Sequence, residues 1–304
     1  MLKVISKLSI NKVASTYIAY IRNSRKNLIE FVDSTPPPNY DRKKKWVIII
    51  SSQIGCSLKC KFCDAPKHFL GNLTPEELIS QVFYIVNNNH AVDPNKVDKF
   101  KIQFARMGEP SLNMATLEAM VKFKKFYPSY IPCIATTAPL GSEKFFAHLL
   151  NIKDIFHDFQ LQFSINSTDP TIRDKIMPFK KLPLKWIANY SEKFYRKGKR
   201  KVVLNFAISD NTELDYKLIR NTFNPDTTII KLTPINPTTS ALRNGFRIDN
   251  DYDKIHTYLR KHSISLQRHG FQSIISIGDM RENTILSNCG QIANVLLSNS
   301  QLQM

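Results

Sequence analysis

This sequence lacks the marks of a secreted or membrane-bound protein. None of its 304 residues belongs to an apolar run approaching the roughly eighteen needed to suggest a bilayer span. The start does not read as a secretory signal. Cysteine is scarce and odd in number: five in all, three of them packed within eight residues. That distribution argues against a disulfide framework and for a reducing, cytoplasmic setting. Internal repeats and low-complexity tracts are missing. A hydrophobic fraction of 42% speaks against wholesale disorder.

Acid is the other scarcity. Asp and Glu total 25 against 43 Lys and Arg, a formal charge of +18, and the first 29 residues carry no acid at all. A field of that sign favours polyanions, nucleic acid first. Scattered lysine in a chain rich in Lys, Asn and Ile is also ordinary solvated surface. Here the cations cluster, at Arg42-Lys43-Lys44-Lys45, at Lys122, Lys124 and Lys125, and in KFYRKGKRK over 193–201.

Along the chain the pattern changes near residue 45. Residues 1–44 read as a basic helical N-terminal extension with a Pro-rich linker. Ile10, Val13, Ala14, Tyr17, Ile18 and Ile21 fall at helical spacing, and Pro36 to Pro38 end any helix. Such a stripe is expected to pack on the body of the protein rather than serve as a targeting signal.

From 45 to 304, β-rich runs at 46–54, 99–107, 131–137, 159–165, 202–208, 228–235 and 272–277 alternate with helical patterns. Thr74-Pro75-Glu76-Glu77 is a capping box with Pro in the first turn, opening a helix to about Asn88. The alternation predicts an α/β fold: a parallel sheet with helices outside it, forming a barrel of six β/α units or part of one. Chemistry in such sheets gathers at the carboxyl ends of the strands. There the sequence places Cys56, Cys60 and Cys63, then Gly108-Glu109-Pro110, Thr136-Thr137, Ser164-Ile165-Asn166 and Pro234-Ile235-Asn236-Pro237.

Cys56-x-x-x-Cys60-x-x-Cys63 is the sharpest signal. Thiolates bind zinc or iron–sulfur clusters. A structural zinc wants four ligands, and no fourth Cys or well-spaced His stands near these three. A [4Fe-4S] cubane on three thiolates leaves one iron open, which suits chelation and reductive cleavage of S-adenosylmethionine (SAM).

The spacing, with Phe62 before the last Cys, resembles the radical-SAM superfamily. Gly108-Glu109-Pro110 resembles its second-strand motif, whose backbone and acid hold the amino group of SAM. The resemblance implies a partial (β/α)6 radical-SAM barrel at 45–304 and a 5′-deoxyadenosyl radical as the reactive species.

Several segments over 46–291 together resemble the RlmN/Cfr adenine methyltransferases. Ser51-Ser52-Gln53-Ile54-Gly55-Cys56 is similar to their entry to the cluster loop. Met107 to Asn113 is similar to their second-strand motif, Asn236-Pro237 to a late turn, and Cys289-Gly290-Gln291 to their C-terminal signature.

The resemblance implies that Cys289 carries a methyl group to an sp² carbon of adenine in rRNA or tRNA. It also implies that Phe62, Gly108, Glu109, Thr137, Ser164, Asn166 and Asn236 surround SAM, and that an electron donor such as flavodoxin or ferredoxin is needed. Three departures stand out. Ile49 occupies the position of the family's second catalytic Cys, and Cys133 is the only spare thiol. Asn166 replaces a His. The 44 N-terminal residues are about half the family's RNA-binding domain. Two other functions fit the residues: a radical-SAM enzyme without a methyl carrier, acting on a peptide or small molecule, and an RNA-binding iron–sulfur protein.

Overall fold

Two tight reversals decide the N-terminus. Lys12 takes φ +60°, and Arg22 and Asn23 take +55° and +52°. They fold the chain into an antiparallel meander of β1 (Lys3–Ile10), β2 (Ala14–Tyr20) and β3 (Leu28–Ser34). This is a computed structural model, and it describes residues 2–38, 40–65, 69–209, 212–247, 249–286 and 290–301.

The expected N-terminal helix is therefore replaced by strands. The apolar stripe foretold burial correctly, since Val13, Ala14, Tyr17, Ile18 and Ile21 are all buried. It misled on period because β2 and β3 are covered on both faces, so their buried positions do not alternate. Thr16, Tyr17, Ile18, Ile29, Phe31 and Val32 suit a pleated surface. Asn11-Lys12 and Arg22-Asn23 supply the turns.

The meander does not stand apart. β3 pairs antiparallel with β4 (Trp46–Ile50), Val32 opposite Ile49, so residues 1–44 extend the main sheet. The linker is anchored by Asp33, which accepts from the Trp46 indole at 2.7 Å and from Arg42 at 2.6 Å. The Arg42 guanidinium lies over the Trp46 ring at 5.0 Å.

Beyond β4 a two-strand ribbon of β5 (Gln53–Ile54) and β6 (Gly71–Asn72) interrupts the series. The main sheet then continues through β7 (Phe100–Phe104), β8 (Ile131–Thr136), β9 (Gln160–Ser164), β10 (Val202–Ile208), β11 (Thr228–Pro234) and β12 (Ser273–Ile275). Its order is β1-β2-β3-β4-β7-β8-β9-β10-β11-β12, with every pair from β4 onward parallel.

Helices cover the outer face: α1 (Pro75–Asn87), α2 (Ala115–Phe126), α3 (Glu143–Ile152), α5 (Leu184–Phe194), α6 (Tyr216–Thr222) and α8 (Tyr252–Arg268), while the short α4 (Pro170–Ile176) lies against the loop that holds Lys61. The short α7 (Thr239–Arg243) and the C-terminal α9 (Gln291–Gln301) sit elsewhere. The capping box forms as expected, with Thr74 Oγ1 accepting from Glu77 N and the Glu77 carboxylate from Thr74 N.

Strand alternation sorts the side chains. Phe100, Ile102 and Phe104 of β7 are buried beneath helices, Phe104 meeting Phe123 of α2. Gln103, between them, faces the concave side. Phe146 of α3 packs on Phe163 of β9 at 5.6 Å in the same way. Each such ring buries apolar surface worth about 1.5–3 kcal/mol. The concave face is the one that carries polar side chains. Among the described residues, no helix is long and apolar enough to cross a membrane.

Candidate functional site

The Cys loop leaves the end of β4 and is pinched at its neck. β5 pairs with β6, and Leu70 N donates to Ile54 O at 2.9 Å. Within the loop Cys63 N donates to Cys60 O at 3.2 Å, and Lys61 N reaches Ile176 O of α4 at 2.9 Å. Burial pushes the Cys56 thiol up to about 12, with Cys63 and Glu109 adding in the same direction. Burial also holds Cys60 well above the ordinary thiol range, reinforced by Cys63, Cys56 and Glu109.

Cys56 and Cys60 are thus desolvated, with the neighbouring thiols and Glu109 as the ionisable groups that raise them, and in the bare protein both stay protonated. A cationic iron–sulfur core binds thiolates and would supply the missing positive charge. Among the described residues no three His, Cys, Asp or Glu are arranged to hold a metal ion. A cubane, unlike a single ion, takes its thiolates at separate corners.

A backbone seam joins this loop to the end of β7. Ser52 N and Gln53 N donate to Met107 O at 2.7 and 3.2 Å, Arg106 N donates to Ile50 O at 3.1 Å, and Glu109 N donates to Gln53 Oε1 at 3.0 Å. Gly108 makes the seam possible. Its φ is +100°, and a Cβ there would sit 2.6–2.7 Å from the Gln53 side chain and backbone N. The buried Glu109 carboxylate accepts from Ser111 N and Oγ at 3.1 and 2.8 Å, and from Thr137 N and Oγ1 at 2.9 Å each. Glu109 therefore ties the ends of β7 and β8 together.

A cavity of about 510 Å³ opens on the concave side of the sheet. Phe62 and Cys63, Ser164, and Asn236 line it, from three separate parts of the sequence. Gly108, Glu109, Thr137 and Asn166 do not line it. Asn166, buried at φ +62°, accepts from Ala207 N at 3.2 Å and donates to Met177 Sδ at 3.3 Å, so it braces β9 against β10. Ile49 does line the cavity and packs with Val13, Ala14 and Val32. Cys133 is buried in β8 and is not among the lining residues. Neither provides acid–base chemistry at the cavity surface.

The C-terminal segment closes the other side of the loop. Cys289 lies outside the described residues. Gly290, next to it, has φ +78° and touches the cluster loop so closely that a Cβ would stand 2.4 Å from Ala65 Cα. Glu30 Oε2 accepts from Gly290 N at 3.0 Å and from Arg106 Nη2 at 2.6 Å, while Oε1 accepts from Ala293 N at 2.7 Å. Asp64 accepts from Thr239 N and Ser240 N at 3.0 and 2.8 Å at the start of α7. The carbonyl of Asp64 takes the Asn294 amide. Ile18, Leu28, Ala65, Met107, Ile292 and Ala293 form one apolar cluster, with Cys56 and Cys63 against it.

Glu30 escaped the sequence reading although it is the first acid in the chain. A lone carboxylate after 29 acid-free residues, inside an apolar run, was the available signal. Gln103, Gln162 and Lys231, also on the cavity wall, carried no motif.

No family model matches the chain. It is 28% identical over 263 residues to "Dual-specificity RNA methyltransferase RlmN" of Wigglesworthia glossinidia brevipalpis, covering 83% of this chain and 65% of that protein. A probable RlmN of Petrotoga mobilis is 26% identical, over 76% of this chain and 65% of its own length. The RlmN of Buchnera aphidicola subsp. Cinara cedri is 30% identical, over 54% of this chain and 47% of its own. The chain is similar to proteins named RlmN. It spans 65% of the length of the first two of these relatives. Among solved structures, Streptococcus suis SuiB bound to S-adenosylmethionine aligns at TM-score 0.49 and 15% identity, over 76% of this chain and 50% of that one.

Proposed function

We propose that this protein is a radical-SAM methyltransferase acting on an sp² carbon of adenine in rRNA or tRNA, with Cys289 as methyl carrier. Cys56, Cys60 and Cys63 would hold a [4Fe-4S] cluster, which when bound supplies the electron that cleaves SAM. The observation that carries the reading is the contact of Gly290 with Ala65. It sets Gly290, the residue that follows Cys289 in the sequence, against the loop of the three thiols. Similarity to proteins named as RNA methyltransferases supports the same assignment.

The chain's own residues have definable tasks. Phe62, Ser164 and Asn236 present a ring and two hydrogen-bonding groups to a molecule in the cavity. Glu109 and Gly108 position the rim from behind rather than from the cavity wall. Glu30 fixes the backbone next to Cys289. Ile49 and the apolar patch around it exclude water and provide no base. RNA, attracted by the net charge of +18, is the proposed substrate. A flavodoxin or ferredoxin is the proposed reductant, in a cytoplasmic setting.

The test is anaerobic reconstitution with iron and sulfide, incubation with SAM and dithionite, and peptide mass spectrometry. One methyl added on Cys289 together with 5′-deoxyadenosine is expected. 5′-Deoxyadenosine with an unmodified Cys289 overturns the carrier assignment.

A further inference from the structure

Lys231 stands on β11 between Ile230 and Leu232, both fully buried on the outer face, so its own side chain enters the concave side. There it lines the central cavity together with Gln103, Gln162 and Asn205. It lies three residues before the end of β11 at Pro234, roughly 10 Å below the rim at about 3.3 Å per residue.

Among the described residues Lys231 has no hydrogen-bond or ion-pair partner. The ionisable groups acting on it are Lys101 and Lys45, of like sign, and the thiol of Cys133. Burial, then those two lysines, pull its ammonium below the usual lysine range. Burial keeps Cys133 protonated, so it offers no counter-charge. Lys101 differs, since it donates to Gln160 Oε1 at 2.9 Å. The cavity's acids are Asp279 and Glu282, and neither is among the charges acting on Lys231. Asp279 is held by Arg281 and by the Tyr40 hydroxyl.

A desolvated cation without an anion costs free energy. Here it stands among three neutral amides in a cavity large enough for a cofactor or nucleotide. That is the composition of an anion-binding floor, with one charge for affinity and several amides for orientation.

We propose that Lys231, flanked by Gln103, Gln162 and Asn205, forms an oxyanion site on the floor of the cavity, taking a carboxylate or phosphate of the molecule that occupies it. Reaching that depth takes a slender terminal anion, such as the methionyl carboxylate of SAM or the phosphate of a mononucleotide. The inference rests on reading this cavity as the seat of SAM and substrate.

Binding to the reconstituted full-length enzyme tests it with two matched pairs, SAM against decarboxylated SAM and AMP against adenosine. Each is measured at low salt in the unaltered protein and in Lys231→Met, which keeps the stem and removes the charge. A charged contact predicts that the unaltered enzyme prefers the anionic member of one pair by roughly ten- to a hundred-fold. The AMP preference should fall to within about twofold in Lys231→Met, or the SAM preference should fall about tenfold to the part left by chelation at the open iron, and the lost preference should return largely in Lys231→Arg. Collapse of the SAM pair identifies the methionyl carboxylate as the source, and collapse of the AMP pair identifies a substrate phosphate. Preferences that are absent in the unaltered enzyme, or unchanged in Lys231→Met, overturn the site. Should Lys231→Met not fold, Lys231→Gln and the two preferences of the unaltered enzyme decide the matter. If the enzyme binds no SAM at all, the radical-SAM reading fails while the AMP pair still judges the floor.

Discussion

The carboxylate of Glu30 accepts the backbone N–H of Gly290 at 3.0 Å, although the two residues stand 260 positions apart. The same oxygen takes Arg106 at 2.6 Å, and its twin takes Ala293 N. One buried acid thus gathers an N-terminal strand, the end of β7 and the start of α9.

Replacing Glu30 with Ala removes the carboxylate that Arg106 meets in the interior and releases the first turn of α9. Breaking a buried pair in this way costs about 3–5 kcal/mol. The denaturant midpoint should drop accordingly, and amides over 290–294 should exchange faster than those of β8. Unchanged exchange in 290–294 would show that the segment is held by other contacts.

Gly290→Ala forces a Cβ to within 2.4 Å of Ala65 Cα at a positive φ. The segment must lift from the cluster loop. Iron content is expected to survive, because the three thiols are untouched, while methylation of Cys289 and product formation fall at least tenfold, about 1.4 kcal/mol. Full methylation in this variant argues against docking of the segment as a requirement.

Gly108→Ala and Gly198→Ala separate steric clash from backbone preference. Both glycines have positive φ, but a Cβ at Gly198 meets nothing within 4 Å, whereas at Gly108 it meets Gln53 at 2.6 Å. Gly198→Ala should cost about 1–2 kcal/mol. Gly108→Ala should cost clearly more and reduce iron loading, because it opens the seam between the cluster loop and β7. Equal losses in melting temperature would refute the seam as the reason for glycine.

Thiol reactivity follows from the raised values at Cys56 and Cys60. A raised pKa keeps a thiol protonated, and only the thiolate attacks an alkylating reagent. At pH 8 both residues of the folded, iron-free protein should react with iodoacetamide more slowly than the same residues in urea, the difference narrowing as pH climbs towards 12. Equal rates in the folded and unfolded chain would remove the argument that a cationic core is needed to ionise them.

Much of residues 45–304 was legible because its signals are local. The Cys spacing, the capping box at Thr74 and the glycine of Gly108-Glu109-Pro110 each depend on a few adjacent residues, and the parallel alternation from β4 onward follows from composition and period. The N-terminus was not legible, since a strand covered on both faces loses the alternation that would separate it from a helix. Asn166 and Glu109 show a second limit. The sequence could place them at strand ends but not tell whether their polar groups face the cavity or brace the rim. In the structure Glu109 is saturated by Ser111 and Thr137. Glu30 and Lys231 belong to no motif, and their importance comes only from what long-range folding sets beside them.

The dependence of Ala65 and Glu30 on residues 290–293 has a consequence for biosynthesis. A chain emerging from the ribosome presents Cys56 and Cys63 long before the apolar segment that packs beside them has been made. Until those last residues arrive, the thiols face solvent, oxygen and any competing metal on that side. If these thiols hold the proposed cluster, maturation calls for iron and sulfide to be delivered late, or for the nascent loop to be guarded meanwhile.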